Sequence, residues 1–242
     1  MTLLWNIADK SLEKKLDEEA AFREARKKER DEQHMYLGIK VITDDTFRAH
    51  GGCDLTDFTK DHNEDLAGPR SYRFLRKSTM LDLAEQVAKD TGVPSNRLRF
   101  WCMVNRQNKT IRVDAPIADP TVTVEEVHQR GSKYTELRLW CEMTDQISST
   151  GEPIWPTLPP LANGNAAPAK TDLIVIFLKH FDVDKQTLNG VGHIYISKEK
   201  KVDELVPAIL KKMGWPEKLV TGEKTQLKLF EVGQALAFIF HC

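Results

Sequence analysis

The sequence has no surplus of either charge: 35 Lys and Arg stand against 36 Asp and Glu, a formal net charge of −1 over 242 residues. Bulk electrostatics therefore name no partner, and the basic excess of a dedicated nucleic-acid binder is missing. Cysteine is scarce and scattered. Cys53, Cys102, Cys141 and Cys242 form no CxxC pair, so neither a zinc site nor a redox motif is indicated, and reduced thiols are expected rather than a disulfide framework. No stretch approaches the roughly 18 consecutive apolar residues of a membrane span. The opening MTLLWNIADKS lacks a basic leader and has too short an apolar run for a signal peptide. These absences point to a soluble protein of the nucleus or cytoplasm.

What is present is an ordinary globular composition, 40 % hydrophobic and 29 % charged, in a chain long enough for one or two domains with sizeable cores. Residues 11–33 carry no Gly or Pro and consist of good helix formers. Leu12, Leu16 and Ala20 make a thin apolar stripe that fades after Phe22, while Glu19 and Glu24 precede Arg23 and Lys28 at i,i+4. The spacing predicts an exposed, charge-dense helix within an N-terminal segment 1–34. It runs into the strand candidate YLGIKVI with no Gly or Pro before Gly38.

A second boundary falls at 148–170. Five of the eleven prolines (Pro153, Pro156, Pro159, Pro160, Pro168) lie there with Gly151 and Gly164, a composition that reads as a linker. Its PxxP spacings also fit a ligand of a Pro-recognising domain, the lesser reading.

The two flanking pieces, 35–147 and 171–242, repeat one another. YLGIKVI, SYRFLRK, TMLDLAEQVAKDTGVP and RLRFWCMV read as strand, strand, helix, strand; DLIVIFLKHF, GHIYISK, VDELVPAILKKMGWP and QLKLFEV read the same way. Each helix ends at a Gly (Gly92, Gly214) with Pro two residues on, a left-handed cap followed by a stop. Thr79 and Asp82 give a capping signal before Met80, Ala84, Val87 and Ala88. Val202, Leu205, Val206, Ile209, Leu210 and Met213 form a core stripe, with Pro207 in the first turns, where its missing N–H costs least. This order is the start of a β-grasp (ubiquitin-like) fold, whose first and last strands pair in parallel. ELRLWCEM, with Leu137, Leu139 and Cys141 alternating, supplies the last strand of the first domain. The fold class expected is α+β: two tandem β-grasp domains behind a long charged helix, the second abbreviated at its C-terminus.

Several segments resemble a known family. LEKKLDEEAAFREARKKERDEQHMYLGIKVITDDTF is similar to the linker helix and first strand that follow the catalytic domain in the herpesvirus-associated ubiquitin-specific protease family. RLRFWCMVNRQNKTIRVD, ELRLWCEM, IVIFLKHFDVDKQTL and VGHIYI are similar to successive segments of its first two ubiquitin-like domains. The resemblance is collinear over about residues 11–231. It implies tandem ubiquitin-like domains that dock partner proteins, one of which, in the family, is a herpesvirus ubiquitin ligase bound through an acidic patch on the second domain. The N-terminal helix then reads as a spacer arm that holds the first domain away from a neighbour, the protease in that family.

The sequence departs from the family twice. The Cys and His boxes of the catalytic domain are absent, so the arm is expected to point at nothing this chain encodes. After LKLFE the chain reads VGQALAFIFHC instead of continuing through the acidic stretch, so the partner patch is not carried over. Two readings of this tail stay open: a hairpin about Gly233 that pairs ALAFIFH with QLKLFEV and completes a small sheet, or an artefact of the gene model that leaves an aggregation-prone end.

The candidate chemistry is thin. Cys53 in HGGCDLTDF is the one cysteine in an exposed, loop-like setting, with His50 three residues before it, but no orienting partner or oxyanion donors can be argued; a plain loop thiol is expected. Arg97, Arg99, Arg106, Lys109 and Arg112 interleave with Phe100 and Trp101, as single-strand nucleic-acid sites do. Alternation nevertheless sets Arg97, Arg99 and Trp101 opposite Leu98, Phe100 and Cys102, so Arg stems covering an exposed Trp are expected. Acids at Asp44–Asp45, Asp57–Asp65 and Asp182–Asp184 follow no calcium-loop pattern and read as loops. His34 and His193, beside strand starts, are expected in structural or surface roles. Trp155 either packs back on a domain or anchors a partner. No catalytic, metal or cofactor residue is assigned. The reading is a monomeric, non-catalytic docking module of the ubiquitin system whose partners are proteins. Its alternative is a part of an active thiol-dependent deubiquitinase whose catalytic domain lies outside the chain.

Overall fold

The helix-forming run at the N-terminus is longer than its composition suggested. In the computed structural model, which describes residues 2–105, 111–131, 134–156, 173–216 and 229, helix α1 spans Thr2–Gln33. Lys14–Glu18 (3.9 Å) and Arg23–Glu19 (2.8 Å) pair along its exposed surface. A tight turn at residues 34–35 leads into strand β1, Tyr36–Ile42. Arg76 fastens this junction: its Nε donates to the His34 carbonyl (2.8 Å) and its backbone N–H to that of Met35 (2.8 Å).

The first sheet contains β1, β2 (Arg70–Leu75), β3 (Leu98–Asn105), β4 (Ile111–Pro116) and β5 (Leu137–Met143) in the order β2-β1-β5-β3-β4. The expected parallel pairing of first and last strands is present, with Ile39 opposite Leu137 and Ile42 opposite Trp140; the other pairs are antiparallel. Helix α3, Met80–Thr91, crosses one face. Its capping box is complete, Thr79 and Asp82 bonding each other reciprocally, and Gly92 closes it at φ 73°. With α4 (Val124–Gly131) it buries Leu83, Val87, Val124 and Val127 against Leu37, Ile39, Phe100, Leu137 and Leu139.

The second sheet pairs β6 (Leu173–Asp182) with β7 (Thr187–Ser197). A 3-10 turn, Val202–Leu205, precedes α5, Val206–Met213, so the second helix starts four residues later than the sequence stripe begins. Pro207 occupies its first turn and Gly214 ends it at φ 68°. Leu205 and Ile209 pack on Ile176, Leu178, Ile194 and Ile196, and Leu229 joins this cluster. The proposed tail strand ALAFIFH, the turn at Gly233 and the rest of QLKLFEV lie outside the described residues.

β6 is apolar on both faces because it serves two cores. Ile174, Ile176 and Leu178 face α5, whereas Val175 and Phe177 meet Ile42, Phe47, Trp101, Met103 and Trp140 on the far face of the first sheet. Period-2 alternation within one strand thus glues two layers together.

Candidate docking module and its buried polar junction

The face of the first sheet turned away from α3 carries Arg99 and Trp101 on β3 and Arg138, Trp140 and Glu142 on β5. Register sets Arg99 directly opposite Glu142 and Trp101 opposite Trp140. The solvated face expected here is not what forms: Arg99 is 6 % exposed and Trp101 5 %, because β7 lies over them. Alternation placed these residues on one face correctly; what covers that face is a strand whose Tyr195 lies 96 positions from Arg99, which no local pattern announces.

Glu142 is the hub. Its Oε2 accepts from Arg99 Nε (3.0 Å), Arg99 Nη2 (2.7 Å) and Trp101 Nε1 (2.7 Å), and its Oε1 accepts from the Tyr195 hydroxyl (2.5 Å). Arg99 Nη2 also donates to the Tyr195 oxygen at 3.0 Å. His193, two residues before Tyr195 on the same β7 face, places Nδ1 2.9 Å from Asp44 Oδ2 and Nε2 3.6 Å from Glu142 Oε1. Its ring meets Trp140 edge-on at 4.8 Å, and Trp140 meets Phe177 at 4.9 Å.

Burial alone would discharge these groups. For His193 it acts against the charged ring, yet the Asp44 and Glu142 carboxylates override it and raise the pKa to about 9. Burial likewise favours the neutral carboxyl of Glu142, but the His193 hydrogen bond, the Arg99 charge and the Tyr195 hydroxyl hold its pKa below the usual range. Asp44 is lowered against its burial by His193, Arg48 and Lys212. The junction is therefore ionic at neutral pH, with each carboxylate facing a cation. Burial and the Glu142 charge push the Tyr195 hydroxyl strongly upward, leaving it a neutral donor.

Backbone contact complements the polar one. A Cβ on Gly190 would lie 2.1 Å from the Phe47 carbonyl oxygen, so α2 (Asp44–Ala49) and β7 approach too closely for any side chain there. Lys179 is fully buried beside them, its Nζ 3.3 Å from the His50 carbonyl and 4.8 Å from the centre of the Phe47 ring; burial lowers its pKa to about 8.

Asp44 and Asp45 open α2, capped by Thr43, instead of forming a loop. Asp57 bonds Thr59, Asp65 pairs with Lys60 and Asp182 with Lys185; among the described residues no group of three or more His, Cys, Asp or Glu could hold a metal. Cys53 is exposed, and no hydrogen bond joins it to His50 among the described residues. Arg112 reaches Asp114 (3.8 Å), and residues 106–110 lie outside the described set. Trp155 packs back: residues 147–153 fold as a small turn, and the Arg99 guanidinium lies 4.4 Å from the centre of the Trp155 ring and 5.1 Å from that of Trp101. No helix among the described residues is long and apolar enough to cross a membrane. Sequence reasoning missed Glu142, Asp44 and Tyr195 as a set, and the available signal was a strand with Trp and an opposite charge sharing one face on each of β3 and β5.

The family model described as the ICP0-binding domain of Ubiquitin-specific protease 7 matches residues 98–236, more than half of the chain. The chain belongs to this family. Its relatives include Ubiquitin carboxyl-terminal hydrolase 15 of Schizosaccharomyces pombe, 29 % identical over 203 residues (83 % of this chain, 17 % of the relative). Ubiquitin C-terminal hydrolase 13 of Arabidopsis thaliana is 27 % identical over 238 residues (95 % and 19 %), and Ubiquitin carboxyl-terminal hydrolase 7 of Drosophila melanogaster 25 % over 205 residues (84 % and 16 %). The chain thus spans less than a fifth of the length of each of these relatives. The region matched by the ICP0-binding family begins at β3 and includes β5, β6 and β7, so it contains both sides of the Glu142–His193–Tyr195 junction; Asp44 and the rest of α2 come from outside it.

Proposed function

We propose that this chain is a non-catalytic protein-docking module of the ubiquitin system, built as two tandem β-grasp units behind a spacer helix. The observation that carries the reading is that a partner-binding family straddles both sheets, and the buried junction gives such a module one relative orientation of its halves. The strand order β2-β1-β5-β3-β4 with α3 across one face supports a β-grasp in the first unit. The ββα order of the second supports its repetition, with units at about 35–147 and 171–242 joined by the Pro-rich segment. Partners would be proteins of the kind in the family's name, met in the nucleus or cytoplasm by a monomer.

A second reading is favoured by the hydrolase names of the relatives: the module would serve a deubiquitinase whose catalytic domain lies outside this sequence. Two measurements test the proposal. The chain incubated with ubiquitin–aminomethylcoumarin is expected to release no fluorophore; release that disappears in Cys53→Ala overturns the non-catalytic reading. Purified ICP0 passed over the immobilised chain is expected to give saturable binding through a surface other than the acidic stretch that this sequence lacks, weakened in Gly190→Leu, and a flat trace overturns docking of this class of partner.

A further inference from the structure

The chain does not leave the first unit straight from β5. Thr144 N–H donates to the Arg97 carbonyl at 3.2 Å, which keeps the exit beside the start of β3. Residues 146–154 then double back on themselves: Ile154 N–H donates to the Gln146 carbonyl (2.9 Å), Ser148 N–H to that of Glu152 (2.8 Å), and Ile147 bridges Pro153. The Thr144 hydroxyl ties the two arms together, donating to the Ile154 carbonyl (3.3 Å) and accepting from Gln146 N–H (3.1 Å). A stretch with Pro153, Pro156 and Gly151 ordinarily keeps its freedom as a linker; here its first part is sewn into a strap.

The return arm of the strap delivers Trp155 to the junction. The centre of its ring lies 4.4 Å from the Arg99 guanidinium, and an indole face is the best side-chain surface for a cation. The same guanidinium donates to Glu142 at 2.7 Å and to the Tyr195 oxygen at 3.0 Å, and is nearly inaccessible to water. Arg99 is therefore in contact with the strap and, through Tyr195, with β7. An ion pair of this kind is strong only where water is kept out, and Trp155 is the cover that the strap supplies.

We propose that residues 144–156 are a latch, in which Trp155 closes on Arg99 and so fixes the second unit against the first. With the ring in place, β7 is held by charge as well as by packing. With the ring withdrawn, Arg99 meets water, its bonds to Glu142 and Tyr195 weaken, and β7 rests chiefly on its apolar contacts. Trp155 is thus a positioning residue that acts on β7 through Arg99. The Pro-rich segment continues directly from Pro156, so the latch also joins that segment to the orientation of the second unit. The use of such a latch rests on the docking-module reading, since a partner spanning both units meets their relative orientation; its existence does not.

Amide hydrogen exchange of the full chain tests it, under conditions where the rate reports the opening equilibrium. Trp155→Ala is expected to speed exchange at Tyr195 and its neighbours in β7 by about two- to five-fold, the loss of one partly exposed cation–π contact, and to leave α3 unchanged. Trp155→Phe keeps a ring face and is expected to recover part of the protection. Trp155→Leu, apolar without a ring, is expected to recover none. Thr144→Val cuts the tie between the arms without touching Trp155 or Arg99, and a smaller acceleration in the same amides is expected. Trp155→Ala with Thr144→Val is expected to be no faster than Trp155→Ala alone, because the tie acts through the ring. Unchanged β7 exchange in Trp155→Ala, equal acceleration in α3, recovery by Leu equal to that by Phe, or additive effects of the two substitutions would each overturn the latch. All these measurements are made without a partner, so a failed latch leaves the ICP0 experiment standing, and a flat ICP0 trace leaves the latch standing.

Discussion

The five-stranded sheet and the β6–β7 ribbon treat their two faces differently. The first sheet closes one core by itself, with α3 and α4 on Leu37, Ile39, Phe100 and Leu139. Its other face is finished partly by Phe47 of α2 and the loop residue Leu55, and partly by the ribbon. The ribbon is a two-stranded sheet among the described residues, and a lone hairpin is marginal in water. It acquires its order from outside, through α5 on one face and the first unit on the other. Phe177 alone, at 6 % exposed among Phe47 and Trp140, contributes about 1.5–3 kcal/mol by burial. Dependence therefore runs in one direction, from ribbon to first sheet.

The largest break in that dependence is expected at Gly190. In Gly190→Leu a side chain must occupy the place of the Phe47 carbonyl, and backbone cannot give way as a flexible side chain does. A loss of order 4 kcal/mol is expected for the docked ribbon, at the upper end for overpacking. Thermal unfolding is expected to separate into an early ribbon transition and a later one for the first sheet. A single transition moved down as a whole would mean that the first sheet depends on the ribbon equally.

Next comes Glu142→Ala, which leaves Arg99 and protonated His193 buried without their shared carboxylate. Breaking a buried pair from one side costs about 3–5 kcal/mol, whereas replacing it whole by apolar residues is often neutral. Arg99→Met with Glu142→Leu is accordingly expected to recover part of the stability lost in Glu142→Ala by urea unfolding, the remainder being held back by Trp101 Nε1 and the Tyr195 hydroxyl, which still lose their acceptor. Recovery of none of it would assign the effect to packing rather than to stranded charge.

The pH profile is a subtler probe of the same junction. The folded pKa of His193, about 9, exceeds its ordinary 6.5, so its contribution is whole below pH 6.5 and disappears as pH rises through about 9. Lys179 has the opposite sign: lowered to about 8 from 10.5, it destabilises the fold while charged, and stability returns as pH rises from about 8. The two windows overlap above pH 8, so the urea midpoint is expected to fall most clearly between pH 6.5 and 8. His193→Gln should flatten that fall and Lys179→Met should leave it in place. Glu142 and Asp44, both lowered, set the acid limit, below about pH 4.5. A wild-type midpoint unchanged from pH 6.5 to 8 would remove the charged His193 from the account.

What could be seen in advance divides along the same line. The helix ends were legible because Thr79, Asp82, Gly92 and Gly214 act within four residues of themselves, and strand faces were legible because alternation is local. The parallel β1–β5 pair was legible through the strand–strand–helix–strand order read in the sequence. The junction was not, since Arg99 and Trp101 read identically whether water or β7 covers them. Only the third dimension joins His193 to Asp44 across 149 positions. The small turn at 147–153 was missed for a related reason: its Pro and Gly content reads as linker, while its order comes from Thr144 and Gln146 bonding the backbone of Ile154.

The smallest expected effect sharpens the comparison at the two helices. α3 begins with a complete capping box, in which Thr79 Oγ1 accepts from the Asp82 N–H at 3.2 Å and Asp82 Oδ2 accepts from the Thr79 N–H at 2.7 Å. α5 has no side-chain cap and enters through a 3-10 turn and Pro207. Thr79→Ala removes half of that box at a cost of about 1 kcal/mol, without touching the junction. Amide exchange is expected to speed up at Leu81, Asp82 and Leu83 and to stay unchanged through β6 and β7, because the ribbon rests on the opposite face of the sheet from α3. Equal acceleration in β7 would show that the two faces open together, and the one-way dependence would then give way to a single cooperative unit.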